Sequence, residues 1–200
     1  MGGLLAISRG IDRMTTAIGR SVAWLILLAI LVSAINAIVR KIFSISSNAW
    51  LELQWYLFGA AFMLASAYTL LQNEHIRIDV IYGRWSRRAQ HWIDLIGTLL
   101  FLLPFTALMI WVVTPKLIEN IVENEISMNA GGLLIWPARA ILLAGFVLLF
   151  IQGLSEIVKK VAVMRGLIDD PHPHTSPHDS ALHEAELMAK GFDDLPEDRK

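Results

Sequence analysis

Histidine is the side chain best suited to hold a haem or a metal, and this chain has six. Haem ligation between helices needs imidazoles that project into a bundle. His75 and His91 fall instead between two apolar runs, and His172, His174, His178 and His183 fall in an acidic C-terminal stretch. Residues 170–183 put metal-capable groups close together, but His172-Pro173-His174 cannot form a helical i, i+4 pair and nothing fixes a ligand geometry. Glu119 and Glu123 form an i, i+4 carboxylate pair, a type that can do acid–base work. They follow an apolar run and face water without a cleft, so a solvated or docking face is the expectation. The absence of cysteine excludes a thiol nucleophile, a disulfide and a cysteine-ligated metal. These residues predict no enzyme activity, no cofactor and no metal site.

The elements that carry these residues are set by where charge is missing. The 200-residue chain is 55% hydrophobic and only 18% charged. Nineteen uncharged residues separate Arg20 from Arg40, 21 separate Glu52 from Glu74, 21 separate Asp94 from Lys116, and 16 separate Arg139 from Glu156. A hydrocarbon core of about 30 Å needs about 20 helical residues. The expected fold is therefore an all-α integral membrane protein with four transmembrane helices, at about 21–39, 53–72, 95–114 and 137–158. Together they make a transmembrane domain over residues 21–160. Pro137 suits the first turn of the last span, where its missing N–H has no partner to lose. The first apolar run is too long for a signal peptide and lacks a small-residue cleavage site.

Basic residues orient the spans. Residues 1–20, the loop between the second and third spans, and residues 159–165 hold ten Lys and Arg, against four on the other face. The positive-inside rule places both termini in the cytoplasm, with residues 1–20 as a cytoplasmic arm. Trp24, Trp50, Trp55, Trp111 and Trp136 lie near span ends as interfacial anchors. Trp85 and Trp92, seven apart, share a helix face with Arg87, Arg88 and His91 on the other side. Residues 84–94 thus read as a short interfacial helix that puts indoles into lipid. Residues 166–200 carry nine acids, four prolines and few large apolar groups. A disordered acidic cytoplasmic tail is the expectation.

No Asp, Glu, Lys, Arg or His lies in the middle of any span. Ion and proton pathways usually need such groups. Small residues recur instead: Ala29, Ser33 and Ala37 in the first span, and Gly59, Ala61 and Ala65 in the second. Such stripes let helices approach closely, and Asn36 adds a donor for a hydrogen bond between helices. A chain without a site of its own suggests a partner. Membrane lipids are expected to surround it, and no nucleic-acid partner is expected. Two other function classes remain open: a membrane-anchor subunit of a redox complex, and a regulatory membrane protein acting through its tail.

The second span and its exit contain Glu52-Leu53, Gly59-Ala60-Ala61-Phe62, Ala67-Tyr68 and Asn73-Glu74-His75-Ile76-Arg77-Ile78-Asp79. With Trp92-Ile93-Asp94-Leu95, Ile135-Trp136-Pro137, Gly145-Phe146 and Gln152 through Glu156, this resembles the small, four-span membrane subunit of tripartite ATP-independent periplasmic (TRAP) transporters. The likeness covers roughly residues 15–165. It implies a bacterial inner-membrane scaffold subunit, multi-pass, without catalysis. It would pair with a large multi-span subunit that imports organic acids with sodium, delivered by a periplasmic substrate-binding protein. The resemblance makes Glu52, His75, Arg77 and Asp79 candidates for partner contact or loop ordering.

Overall fold

Long uncharged runs fold as helices in lipid because each backbone polar group must find its partner within its own segment. The computed structural model describes residues 2–44, 47–73 and 85–168. They form α1 (Gly2–Phe43), α2 (Asn48–Leu71), α3 (Arg87–Gly97), α4 (Leu103–Glu123) and α5 (Trp136–Met164). A π-helical turn, Thr98–Leu102, joins α3 to α4. The only extended pairing among the described residues is an isolated antiparallel bridge between Ile126 and Leu134. Among the described residues the fold is all-helical, and the expected tail lies outside them from position 169 onward.

Among the described residues three helices are long and apolar enough to cross a membrane: Gly2–Phe43, Arg88–Glu123 and Trp136–Met164. The second expected span corresponds to α2, whose 24 residues suffice in length. Polar groups on Gln54, Tyr56, Ser66, Tyr68 and Thr69 leave its hydropathy below that of the other three, although averaged over the whole helix it is as apolar as they are. Residues 2–20, the expected cytoplasmic arm, are helical and form the first half of α1, continuous with the apolar run. No proline interrupts them, and Leu, Ala, Met and Arg favour helix.

The helices alternate in direction, as matched contacts along their lengths show. Gly19 on α1 abuts Tyr68 near the end of α2, so α1 and α2 are antiparallel. Tyr56 reaches Leu134 just ahead of α5 and Met63 meets Gly145 within it, so α2 and α5 run parallel. Gly153 on α5 faces Leu102 and Leu103, and Arg139 reaches the Lys116 carbonyl, so α4 is antiparallel to α5. The start of α1 and the end of α5 thereby meet at one end of the bundle, where Ser8 bonds Ser155. Helix α5 touches α1, α2, α3 and α4.

Two flanking helices use narrow seams. The buried positions of α1 include Ser8, Thr15, Val22 and Ala29, each seven residues from the last. Those of α4 are Thr106, Val113 and Asn120, again seven apart. A seven-residue period keeps one stripe on a neighbour through a left-handed supercoil. Between these seams α5 brings Gly145 against the backbone of α2. A Cβ on Gly145 would lie 2.7 Å from the Met63 Cβ and 3.0 Å from its carbonyl. The rings of Phe105 and Phe146 meet edge to face at 5.9 Å.

The π turn has a local cause. Pro104 has no N–H, and its ring crowds the carbonyl four residues back. A wider turn accommodates it. The Thr106 hydroxyl then donates to the Leu102 carbonyl at 2.8 Å, with the Leu103 carbonyl at 3.1 Å.

Replacing Gly145 by Leu forces α2 away from α5 and is expected to cost about 1–3 kcal/mol, read as a lower melting temperature in detergent. Gly10→Ala, where an added Cβ meets nothing, should melt no lower than wild type. Equal melting of Gly145→Leu and wild type would remove the close-approach account.

Candidate functional site

Ionisable and polar chemistry gathers at the two ends of the bundle. At one end Glu52, in the second turn of α2, is only 5% exposed. Its carboxylate accepts from the Ser127 hydroxyl, from Asn129 Nδ2 at 2.7 Å and from the Leu133 backbone N–H at 2.6 Å. These donors all belong to the loop between α4 and α5. That loop turns back on itself: the Ser127 N–H bonds the Leu133 carbonyl at 2.9 Å, and the Ile135 N–H bonds the Glu125 carbonyl at 3.0 Å. Gly131 supplies the left-handed turn (φ 71°), and Asn124 (φ 50°) ends α4 in the same region. Asn48 Nδ2 reaches the Ala130 carbonyl at 3.0 Å and the Tyr56 hydroxyl reaches the Leu134 carbonyl at 3.1 Å. One carboxylate thus fixes a loop that is remote in sequence.

The three donors hold the Glu52 carboxyl below its ordinary range, Ser127 contributing most, and outweigh the opposing effect of burial. A depressed pKa in the folded state adds stability above the unfolded carboxylate value of about 4.3. That contribution is lost as pH falls through the folded value.

At the opposite end a polar seam joins α1 to α5. The Thr15 hydroxyl donates to Gln152 Oε1 at 2.8 Å, and Gln152 Nε2 donates to Asp12 at 2.9 Å and Glu156 at 3.0 Å. Ser155 shares a 2.7 Å bond with Ser8 and lies 3.1 Å from Asp12. Lys159 closes the network, 3.2 Å from Asp12 and 2.5 Å from Glu156. Beside it Lys160 pairs with Asp94 of α3 at 3.0 Å. Gln152 is fully buried, so its amide is satisfied only by these partners. In a low-dielectric setting such a seam holds helices in register, because a displaced partner would leave a polar group unpaired.

The residues singled out from sequence fall into different settings. Glu52 is engaged inside the chain. His75, Arg77 and Asp79 lie outside the described residues. Ala29 is wholly buried against a neighbour, and Ala61 is buried. Ser33, Asn36 and Ala65 are half-buried, while Ala37 and Gly59 are exposed. All seven tryptophans present exposed faces: Trp24, Trp50, Trp55, Trp85, Trp92, Trp111 and Trp136. Helix α3 starts at residue 87, capped by the Ser86 hydroxyl, and carries Trp92 outward. Glu119 pairs with Lys116 at 2.8 Å.

Sequence reasoning missed the α1–α5 seam, above all Ser8, Asp12, Thr15, Ser155 and Lys159. A signal existed: Ser8, Asp12 and Thr15 share one helix face, and so do Gln152, Ser155, Glu156 and Lys159.

Two measurements test these ends. Glu52→Gln turns an acceptor into a donor that faces donors, so amide exchange at Ser127, Leu133 and Ile135 should accelerate at pH 7. Wild-type exchange there should accelerate on acidification below about pH 4; equal protection in the Glu52→Gln variant would remove the clamp. Asp12→Ala leaves Gln152 Nε2, Ser155 and Lys159 each short of one partner and should destabilise by about 1–3 kcal/mol. A double-mutant cycle with Lys159→Met should then show coupling, whereas strictly additive effects would mean that the pair does not act as a unit.

No curated protein matches the chain, and no solved structure matches it. The family model for tripartite ATP-independent periplasmic transporters, DctQ component, matches residues 28–163. This stretch runs from the apolar half of α1 through α5 and includes the Glu52 clamp, Gly145 and the α5 half of the seam. On this match across most of its length, the chain belongs to the DctQ component family of tripartite ATP-independent periplasmic transporters.

Proposed function

We propose that this chain is the non-catalytic scaffold subunit of a sodium-coupled TRAP transporter in the bacterial inner membrane. In this reading it crosses the membrane four times, with α2 as the fourth crossing and both termini in the cytoplasm. It pairs with a large membrane subunit that moves the substrate, while a periplasmic binding protein delivers organic acids. The observation that carries this is the division of chemistry along the bundle. Among the described residues, buried Glu52 and the half-buried Asp12, Glu156 and Lys159 sit at the ends, and helix contacts between are made by Gly145, Met63, Phe105 and Phe146. Moving a charged solute calls for polar or ionisable groups near mid-membrane. A bundle without them supports a partner that has them.

The alternating helix directions support an even number of crossings. About 36 Å of helix is available in α2, from 24 residues at about 1.5 Å each. Within this reading Glu52 orders the periplasmic loop, and His75, Arg77 and Asp79 order the cytoplasmic turn or meet the large subunit. The exposed small residues Ala37 and Gly59 offer places for a partner helix to approach closely. Exposed indoles serve as interfacial anchors.

Co-purification in mild detergent tests the pairing: a large multi-span protein should accompany this chain, and sodium-dependent uptake should need both. Recovery of this chain alone, with uptake intact in its absence, would sink the proposal. The joint variant Arg77→Ala/Asp79→Ala should lower complex yield and uptake together; unchanged values would remove those residues from the contact. Deleting residues 167–200 should leave uptake intact.

A further inference from the structure

The first half of α1 has a face that neither the seam nor the transporter reading uses. At 3.6 residues per turn, Arg9, Arg13 and Arg20 fall within about 40° of one another around the helix. All three are exposed, and none makes an ion pair among the described residues. The nearest acid on this segment, Asp12, is turned toward α5 and held by Gln152, Ser155 and Lys159. Leu4, Ile7 and Met14 of the same segment are also exposed, at 53%, 62% and 41%.

The helix length sets where this segment lies. The 42 residues of α1 extend about 63 Å at 1.5 Å each, against about 40–45 Å for a bilayer with its headgroups. Because α1 is unbroken, Arg20 marks the end of the apolar run and the other two arginines follow within about 17 Å along the helix. Exposed leucine, isoleucine and methionine beside exposed arginines are the composition of an interfacial helix. An upright α1 would leave those apolar side chains in water; a tilted one brings them to the acyl boundary and the arginines to the headgroup layer.

We propose that Arg9, Arg13 and Arg20 form a binding face for the phosphates of anionic phospholipid headgroups. Guanidinium groups suit this role because their donors fork onto phosphate oxygens. The inference does not depend on the transporter reading, since it concerns only this helix and the lipid beside it.

The full chain in mild detergent, titrated with phosphatidylglycerol or phosphatidylcholine, gives the test through native mass spectrometry of retained lipid. Phosphatidylglycerol should be retained in preference, and added salt should weaken that preference. The joint variant Arg9→Gln/Arg13→Gln/Arg20→Gln should lose it, by roughly fivefold for each arginine. The corresponding lysine replacements, and Arg88→Gln with Arg165→Gln, should largely keep it. An unchanged preference in the glutamine variant overturns the proposal. So does a preference that emerges only after residues 169–200 are deleted, which would assign the face to the chain's own acidic segment. Should the triple variant not fold, Arg13→Gln alone and the salt titration of wild type decide: retention insensitive to both also overturns it.

Discussion

Helices surrounded by lipid gain nothing by hiding apolar surface from one another, because the tails are as apolar as leucine. Association must come from close backbone approach and from polar groups that lose more unpaired than paired. In this protein both are concentrated on α5. Gly145 and Gly153 let α2 and α4 come near, and Gln152 and Ser155 bond to α1. With α5 removed, α1 and α2 would keep their mutual contact, but α4 would lose its main neighbour. The order of the bundle follows from that one helix.

The two ends use polar chemistry differently. At the α1–α5 end, carboxylates and ammonium groups sit within one another's reach, so each half-buried charge has its counter-charge beside it. A lone buried charge would be costly, and pairing offsets that cost without adding much net stability. The result is register rather than strength. At the other end no cation among the described residues pairs with Glu52; hydroxyl, amide and backbone donors satisfy it. A carboxylate accepting several such bonds orders backbone as a nest of donors orders an anion. One end therefore locks helix to helix, and the other locks a loop to a helix.

The uncharged windows were legible because charge is a local property, and a run of 19 or 21 residues without it needs no knowledge of neighbours. Neither lock was readable in full, because their partners are distant along the chain: 75 to 81 residues for Glu52 and 137 to 147 for the α1–α5 seam. Asp12, the one acid in a basic segment, reads as solvated until Lys159 stands beside it. The small-residue stripe on α1 is used only in part within the chain, for a geometric reason. Steps of four residues rotate about 40° around a helix, so Ala37 has turned well away from the face that holds Ala29. Steps of seven drift only about 20°, which supercoiling absorbs. The observed seam accordingly runs Ser8, Thr15, Val22, Ala29.

That heptad seam also changes what the first twenty residues mean. A free arm would owe nothing to the bundle, and its arginines would serve only to orient insertion. Here Ser8 and Thr15 continue the same stripe as Val22 and Ala29, so the segment is packed along the same line as the apolar half. Its polar seam residues are those a helix can use once α5 passes from its apolar length to Gln152, Ser155 and Glu156. The change from aliphatic to hydrogen-bonded packing takes place within one uninterrupted interface. On both helices that change is completed within about two turns, between Val22 and Thr15 on α1 and between Phe146 and Gln152 on α5.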